Sequence, residues 1–470
     1  MTGWTIETLA REIATCRISA VEATETCLAR ITRFDRRIRS FITLDADGAR
    51  AAARGLDAEL ARGRSRGALH GIPVALKDLC HVRGLPTSCG TKTAEYFTPE
   101  RECAAATRLR GAGAVILGKL NMVELAVGPF GDNPHHGDVQ NPWRPGHSAG
   151  GSSSGSGAAV AAGFVLGALG SDTGGSIRMP AACCGIAGLK PTYGRVSRTG
   201  VMPLSWSLDH VGPMTRTVRD AALLLAVIAG RDASDATSSR RPVPDDLATL
   251  PRAIAGLRIG IPENYYFDRV DPEMEAAVRA AIRALEGLGA VLVDLRLPDP
   301  EPLVGVANVI TRSESAAIHA RLLRERPHEV GPVVRARLEI GFQISAHDYI
   351  QAQRVRSRLT REFIGEVFGT VDAIITPTIP EPAPKLETVT AGSLEEIVRR
   401  TGQFSRFTRP FNALGLPALS VPCGWSTDGR PLAFQVVGRP FDEATVLRLG
   451  CAWELSAGAS GRLLEPDLVD

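Results

Sequence analysis

Two short clusters of serine and glycine in the first half of the chain carry the residue types that acyl transfer requires. The first cluster spans residues 150–157 and contains Ser152, and the second spans residues 171–176 and ends at Ser176. Both adjoin apolar segments that must be buried, so packed structure should hold their serines in place. A serine hydroxyl held in this way is a candidate nucleophile for attack on a carbonyl carbon.

The second cluster also offers the backbone donors that a developing oxyanion needs. Its last three residues, Gly-Gly-Ser, should form a tight turn between two buried elements, in which consecutive N–H groups converge on one point. The glycines remove side chains that would block that point. We expect an oxyanion hole made by the N–H groups of Thr173, Gly174, Gly175 and Ser176.

Two other interpretations fit the clusters less well. A phosphate-binding loop of the form GxxxxGK[ST] needs a lysine directly after its glycines, and neither cluster has one. A purely structural turn would explain a single GGS triplet. It does not explain why Ser152 and Ser176, 24 residues apart, both lie beside buried segments.

The base that would activate such a serine is best sought among the lysines, because no histidine follows His147 as far as Pro191. The chain has 54 basic residues, of which only five are lysines. Lys77 ends a short apolar strand predicted over residues 72–76. A lysine desolvated there loses part of its preference for the charged form and could accept a proton. The alternative is that Lys77 merely pairs with Asp78.

The apolar pattern around these residues predicts an α/β fold. Helical spacing predicts two helices over residues 5–38, interrupted near residues 17–19, and a core helix over residues 158–165. Helix and strand alternate through most of the chain, which favours a parallel sheet. The segment of residues 231–253 is rich in Ser, Asp and Pro and could be a surface loop or a linker.

Composition limits the expected partners and location. The chain has 470 residues, 44% hydrophobic and 22% charged, with a formal net charge of +3, and no basic run is typical of nucleic-acid binding. Its N-terminus lacks a secretory signal, and the apolar residues 221–230 are too few to span a bilayer. We expect a cytoplasmic protein that binds a neutral small molecule. Nine cysteines without CxxC spacing, and His135-His136 without a carboxylate pattern, predict no metal site, and no cofactor is expected.

With Lys77, Ser152 and Ser176 in view, the sequence resembles the amidase signature family. GGSSSGS is similar to that family's GGSSGGS, with Ser154 in place of a glycine. GSDTGGSIRMPA resembles its G(S/T)D(T/I)GGSIR-P, and GIPVALKD resembles its lysine motif. GLKPTYGRVSRTG and SLDHVGPMTRT are also typical, and the likeness covers residues 5–456.

The resemblance implies a hydrolase of amide bonds with Ser176 as nucleophile, Ser152 as a bridging serine with a cis peptide bond, and Lys77 as base. It implies a mixed, largely parallel twisted sheet covered by helices on both faces, in a single domain over the whole chain. The expected parts of that domain are N-terminal helices at about 5–65, a signature core at about 66–230 and a C-terminal part at about 255–456.

Supporting and substrate-binding residues can be assigned around this trio. We expect Ser153 to hydrogen-bond Lys77, and Asp172 and Arg178 to brace the oxyanion turn. The pocket walls should come from residues 121–141, 202–209 and 309–315, and their aromatic members favour a hydrophobic acyl or aryl group. The candidate substrate contacts are Asn121, Met122, Phe130, Gly131 and Trp206.

The leading hypothesis is a hydrolase of small amides, with aryl esters, anilides or carbamates also possible, acting as a monomer or homodimer without nucleic acid or membrane. The alternative is the glutamine-hydrolysing A subunit of a tRNA-dependent amidotransferase, which shares these motifs. Against it, Ser405 and Arg406 stand where the amidotransferase chain carries an acidic residue for the glutamine amino group, although Arg356 could still bind a carboxylate. A binding protein built on an inactive hydrolase is disfavoured because all three catalytic residue types are present.

Overall fold

An eleven-stranded sheet runs through the protein, in a computed structural model that describes residues 3–93, 97–250 and 252–458. The strand order is β1-β3-β2-β4-β6-β5-β10-β11-β9-β7-β8. The strands are β1 (Phe41–Leu44), β2 (Pro73–Lys77), β3 (Val115–Leu120), β4 (Gly167–Asp172), β5 (Ala187–Lys190), β6 (His210–Thr215), β7 (Arg258–Pro262), β8 (Val291–Leu295), β9 (Ala373–Pro377), β10 (Ala418–Trp425) and β11 (Pro431–Gly438).

The sheet is mixed, as the family resemblance implies, whereas the alternation of helices and strands in the sequence favours a parallel sheet. Parallel pairing joins β3, β2 and β4 near one edge, and β9, β7 and β8 near the other. The strands between these two groups pair antiparallel, and β1 closes one edge antiparallel to β3. Because β2 and β4 are parallel neighbours, with Leu76 opposite Leu169, their carboxyl ends meet at the same edge of the sheet.

Helices cover both faces of the sheet. On β4, a Cβ added at Gly167 would lie 2.6 Å from Leu224, whereas one at Gly170 would lie 2.9 Å from Ser153 Oγ, and positions three apart on a strand face opposite sides. The helices are α1 (Ile6–Ala14), α2 (Ala20–Ile38), α3 (Ala46–Leu60), α4 (Ala104–Gly111), α5 (Ser154–Ala161), α6 (Arg178–Cys184), α7 (Val218–Ile228), α8 (Asp246–Thr249), α9 (Pro272–Gly287), α10 (Glu301–Ile318), α11 (Ala320–Glu325), α12 (Pro332–Glu339), α13 (Ala346–Phe368), α14 (Leu386–Thr390), α15 (Leu394–Phe404), α16 (Arg409–Ala413) and α17 (Glu443–Ser456).

Most predicted elements are confirmed, with two differences that bear on the site. The core helix α5 begins at Ser154 rather than at residue 158, so half of the first serine and glycine cluster is helical. Strands β5 and β6 were not indicated by the sequence, because AGLK and HVGPMT lack the β-branched and aromatic pattern of a strand. Among the helices in the described ranges, none is both long and apolar enough to cross a bilayer.

The segment after α7 is a surface loop rather than a linker. Asp232 accepts a hydrogen bond from Ser197 Oγ at 2.6 Å, and Asp235 accepts one from the backbone N–H of Arg198 at 2.9 Å. These bonds tie the loop to the polypeptide that follows β5. The segment therefore packs against the sheet-bearing body of the protein.

Gly155 lets α5 approach the end of β3 closely. A Cβ at this position would lie 2.5 Å from the carbonyl oxygen of Asn121 and 2.6 Å from its nitrogen, and would also meet Ser40. All of these are backbone atoms, which cannot rotate away as a side chain can.

We therefore expect Gly155→Ala to lower the free energy of unfolding by about 1–3 kcal/mol through overpacking. Gly55→Ala is the matched control, because Gly55 lies in α3 with no atom within 4 Å of an added Cβ. That variant should gain about 0.5–1 kcal/mol from helix propensity. Denaturant unfolding of both variants checks the pair, and equal effects would contradict the packing account.

Candidate active site

Lys77 lies at the carboxyl end of β2 and is fully buried. Its Nζ donates hydrogen bonds to Ser152 Oγ at 2.7 Å and to Ser171 Oγ at 2.9 Å. It does not pair with Asp78, because that carboxylate forms an ion pair with Lys119 at 2.8 Å. The interpretation of Lys77 as the ion-pair partner of Asp78 is therefore wrong.

Burial sets the ionisation of Lys77. Removal from water disfavours the ammonium form and lowers the pKa of Lys77 to about 7, against smaller opposing contributions from groups that include Asp209 and Asp172. A lysine with this pKa is neutral in a large fraction of molecules near pH 7. It can then accept a proton from a hydroxyl group to which it is hydrogen-bonded.

The two serine and glycine clusters are joined directly beside Lys77. The peptide bond between Gly151 and Ser152 is cis, as the family resemblance implies. The backbone N–H of Ser153 donates to the carbonyl oxygen of Ser176 at 3.3 Å. Ser152 and Ser176 thus lie on adjacent loops, and Ser176 lines a cavity.

The turn before Ser176 is organised by Asp172. The Asp172 carboxylate accepts hydrogen bonds from the N–H groups of Gly175 at 2.7 Å and Ile177 at 3.1 Å. The Gly175 amide, expected among the oxyanion donors, is therefore already used inside the turn. Within the described ranges, no acceptor bonds the amides of Thr173, Gly174 and Ser176, so these three remain available to a ligand.

Asp172 is in turn held by Arg178, which is fully buried. Arg178 Nε and Nη2 donate to the two carboxylate oxygens, each at 3.1 Å, and Asn412 Nδ2 donates to Oδ1 at 2.8 Å. Burial alone would raise the pKa of Asp172, but the Arg178 guanidinium holds it well below its usual range. These contacts agree with the expectation that Asp172 and Arg178 brace the turn.

The expected contact between Ser153 and Lys77 is replaced by one from Ser171. Ser153 Oγ instead donates to the Ser171 carbonyl and accepts from the Ser171 N–H, both at 3.2 Å. Ser171 reaches Lys77 because β4 is the parallel neighbour of β2. The sequence contained Ser171 in its second cluster, but only the strand pairing indicates its partner.

A cavity of about 200 Å³ opens beside Ser176. Its walls include residues from all three predicted segments, and also parts of α12, α15 and α16 that the sequence did not indicate. The wall residues include Val127, Thr173, Gly174, Ser176, Leu204, Asn308, Arg312, Arg337, Ser405 and Arg409.

The five individual substrate contacts predicted from the sequence do not line this cavity. Asn121 is buried, and its side chain donates to the backbone of Arg39 and of Gly137. Met122 is also buried, and Phe130 packs against Phe404 with ring centroids 5.2 Å apart.

The other two predicted contacts are also placed elsewhere. Gly131 supports the first cluster, since a Cβ there would lie 3.1 Å from the carbonyl oxygen of Gly150. Trp206 is 49% exposed and lines two other cavities. The cavity wall therefore includes parts of the predicted segments but none of the five residues chosen from them, because the larger side chains turn into the core or away from Ser176.

The two residues that bear on glutamine binding differ in position. Ser405 lines the cavity, so the position at which the amidotransferase chain carries an acidic residue faces the site. Arg356 does not line it, and its Nε donates to the carbonyl oxygen of Ala413 at 2.6 Å. No aspartate or glutamate is among the described residues that form the cavity wall.

Comparison with known proteins identifies the family of this chain. A family model described as Amidase matches residues 22–447. The chain is 44% identical over 479 residues to the A subunit of a glutamyl-tRNA(Gln) amidotransferase of Myxococcus xanthus, covering 97% of both chains. It is also 44% identical over 459 residues to an amidase of Pseudomonas putida, covering 97% of this chain and 96% of that one.

The fold is also similar to those of solved structures. The crystal structure of an amidase superposes with a TM-score of 0.86 and 37% sequence identity, covering 96% of this chain and 99% of that one. The fold, the cis peptide bond at Ser152 and the family match over most of the chain converge on one conclusion. The chain belongs to the amidase signature family, whose members hydrolyse carbon–nitrogen bonds.

Proposed function

We propose that the protein is a serine hydrolase of small, non-peptide amides that forms an acyl-enzyme on Ser176. The observation that carries this proposal is the hydrogen bond between buried Lys77 and Ser152, in a site where Lys77 has no ion-pair partner among the described residues. A neutral lysine can take a proton, and a serine hydroxyl can both give and receive one. Ser152 then passes the proton of Ser176 to Lys77.

The proposed reaction has an acylation step and a deacylation step. Ser176 Oγ attacks the amide carbon as its proton moves through Ser152 to Lys77, and the carbonyl oxygen becomes negative. The amides of Thr173, Gly174 and Ser176 are the donors available to that oxygen. Lys77 then returns the proton through Ser152 to the leaving nitrogen, and the C–N bond breaks. Water then attacks the acyl carbon as its proton moves through Ser152 to Lys77, and that proton returns to Ser176 Oγ as the ester bond breaks and the acid leaves.

The same steps act on aryl esters, anilides and carbamates. Their leaving groups need no more acid assistance than an alkylamine does, and the acyl-enzyme step does not depend on the leaving atom. We therefore include these compounds as alternative substrates of Ser176.

The second candidate function is glutamine hydrolysis within a tRNA-dependent amidotransferase. It is favoured by the 44% identity to the A subunit of such an enzyme. It is disfavoured by the cavity, because the α-ammonium group of glutamine needs an acidic partner and the described wall residues include no carboxylate. We place the protein with the small-molecule amidases, active as a monomer or homodimer.

The nucleophile is tested by removing hydroxyl groups one at a time. Ser176→Ala should abolish turnover of an anilide substrate and labelling by a fluorophosphonate, and Ser152→Ala should leave a trace of both. Ser154→Ala is the matched control, because Ser154 Oγ is buried in α5 and has no hydrogen-bond partner in the described part of the chain, so its loss should be nearly neutral. Labelling that persists in Ser176→Ala would contradict the assignment.

The base is tested by two lysine replacements. Lys77→Met and Lys77→Arg should both lower kcat by about 10²–10⁴-fold, since arginine keeps the charge but cannot give up its proton. Circular dichroism of both variants confirms folding. Substantial activity in Lys77→Arg would show that the residue acts only as a charge.

Independence from other polypeptides is tested with the purified protein. We expect hydrolysis of simple amides or anilides by this chain alone, at a specific activity that adding the other subunits of a tRNA-dependent amidotransferase does not raise. Hydrolysis of glutamine alone, seen only in the presence of those subunits, would replace this proposal with the second candidate.

A further inference from the structure

Three arginines line the Ser176 cavity from three different helices. Arg312 comes from α10, Arg337 from α12 and Arg409 from α16. Arg409 borders the oxyanion turn itself, since a Cβ added at Gly174 would lie 3.7 Å from Arg409 Nε. Arg409 therefore stands next to the place where the scissile carbonyl must bind, and Arg312 and Arg337 line the same cavity.

None of the three has an ion-pair partner in the part of the chain that the structure describes. Arg337 Nη1 donates to the carbonyl oxygen of Val127 at 2.9 Å, and Arg409 donates to Ser405 Oγ at 3.0 Å and to Asn308. All of these acceptors are neutral. The charge of Asp132 acts to raise the pKa of Arg337, but the two side chains do not form an ion pair.

The guanidinium groups are close enough to oppose one another. Burial together with the charges of Arg337 and Arg312 lowers the pKa of Arg409 to about 10, and burial together with the charge of Arg312 lowers the pKa of Arg337 to about 10. Cations that are partly removed from water and have no ion-pair partner are costly to hold. An anionic ligand would relieve that cost, and a planar carboxylate matches the guanidinium fork in geometry and charge.

We propose that this cavity selects amides whose acyl group ends in a carboxylate, namely monoamides of short dicarboxylic acids, which Arg312, Arg337 and Arg409 bind. This inference rests on the proposed hydrolase function and names its substrate class. The volume of about 200 Å³ suits a small acyl group. Such a substrate supplies the negative charge that the cavity wall lacks.

The same arrangement distinguishes glutamine from its analogue without an amino group. The ammonium group of L-glutamine would enter a cavity with three cations, where Ser405 Oγ already accepts a hydrogen bond from Arg409. Glutaramate has the same chain and carboxylate but no ammonium group. It should therefore be the better substrate of the two.

The test compares matched substrates. Succinamate is paired with butyramide, and glutaramate with both valeramide and L-glutamine. The purified enzyme should show kcat/KM about 100-fold higher for each acid than for its neutral partner, and glutaramate should exceed L-glutamine at least about tenfold. Added salt should reduce the preference for the acids.

Variants assign the preference to the three arginines. Arg312→Gln, Arg337→Gln and Arg409→Gln should each lower the ratio of acid to neutral kcat/KM at least about tenfold, and the corresponding lysine variants should restore part of it. Arg358→Gln is the control, because Arg358 is an exposed residue of α13 near Glu362. It should leave the ratio unchanged.

A binding arm separates this inference from the proposed function. Calorimetry with Ser176→Ala should detect binding of malonate, succinate or glutarate. Each of the three Arg→Gln replacements, added to Ser176→Ala, should weaken that binding. If neutral amides are hydrolysed as well as the acids in a Ser176-dependent reaction, the substrate class is overturned and the hydrolase stands. If dicarboxylates bind but no amide is cleaved, the hydrolase fails and the carboxylate site stands. Preference for N-acyl amino acids would overturn the assignment of the carboxylate to the acyl group. Preference for L-glutamine over glutaramate would overturn the prediction that the acyl group has no amino substituent.

Discussion

The burial of Lys77 without a carboxylate partner is the constraint on which the rest of the site depends. A lysine in contact with an acidic group would stay charged and could not act as a base. Asp78, its neighbour in sequence, is taken up by an ion pair with Lys119 at 2.8 Å and by hydrogen bonds from the backbone and side chain of Ser88. A second lysine of a lysine-poor chain thus keeps Lys77 free to lose its proton.

Three ionisable side chains around Ser176 differ in how their charge is stabilised. Lys77 is desolvated toward its neutral form. Asp172 keeps its charge because Arg178 forms an ion pair with it, and the two backbone amides that donate to it shape the turn. Arg409 lies on the other side of that turn with neutral partners. Lys77 must be uncharged to act as a base, and the ion pair of Asp172 with Arg178 holds the turn. The cavity has an excess of positive charge, which fits a negatively charged substrate.

The structure agrees with the sequence-based predictions more closely around the proposed reacting groups than along the cavity wall. Lys77 ends an apolar strand and the serines lie in glycine-rich motifs, so local pattern is enough to propose them. The contact of Ser171 with Lys77 depends on β4 lying parallel to β2, so it has no local signal in the sequence. Arg337 and Arg409 come from helices far along a chain in which arginine is the ordinary basic residue. The expectation of a neutral ligand rested on the small net charge, which averages over the surface and does not describe one cavity.

The ionisation of Lys77 is tested most directly by the pH dependence of fluorophosphonate labelling at Ser176, a reaction that needs nucleophile activation but no leaving amine. Because neutral Lys77 is the acceptor, the labelling rate should be low in acid and rise with pH through one ionisation, the pKa of Lys77 at about 7. In Lys77→Met this ionisation should disappear and the rate should stay low at every pH. A rate independent of pH in the wild type, or an unchanged profile in Lys77→Met, would contradict the account.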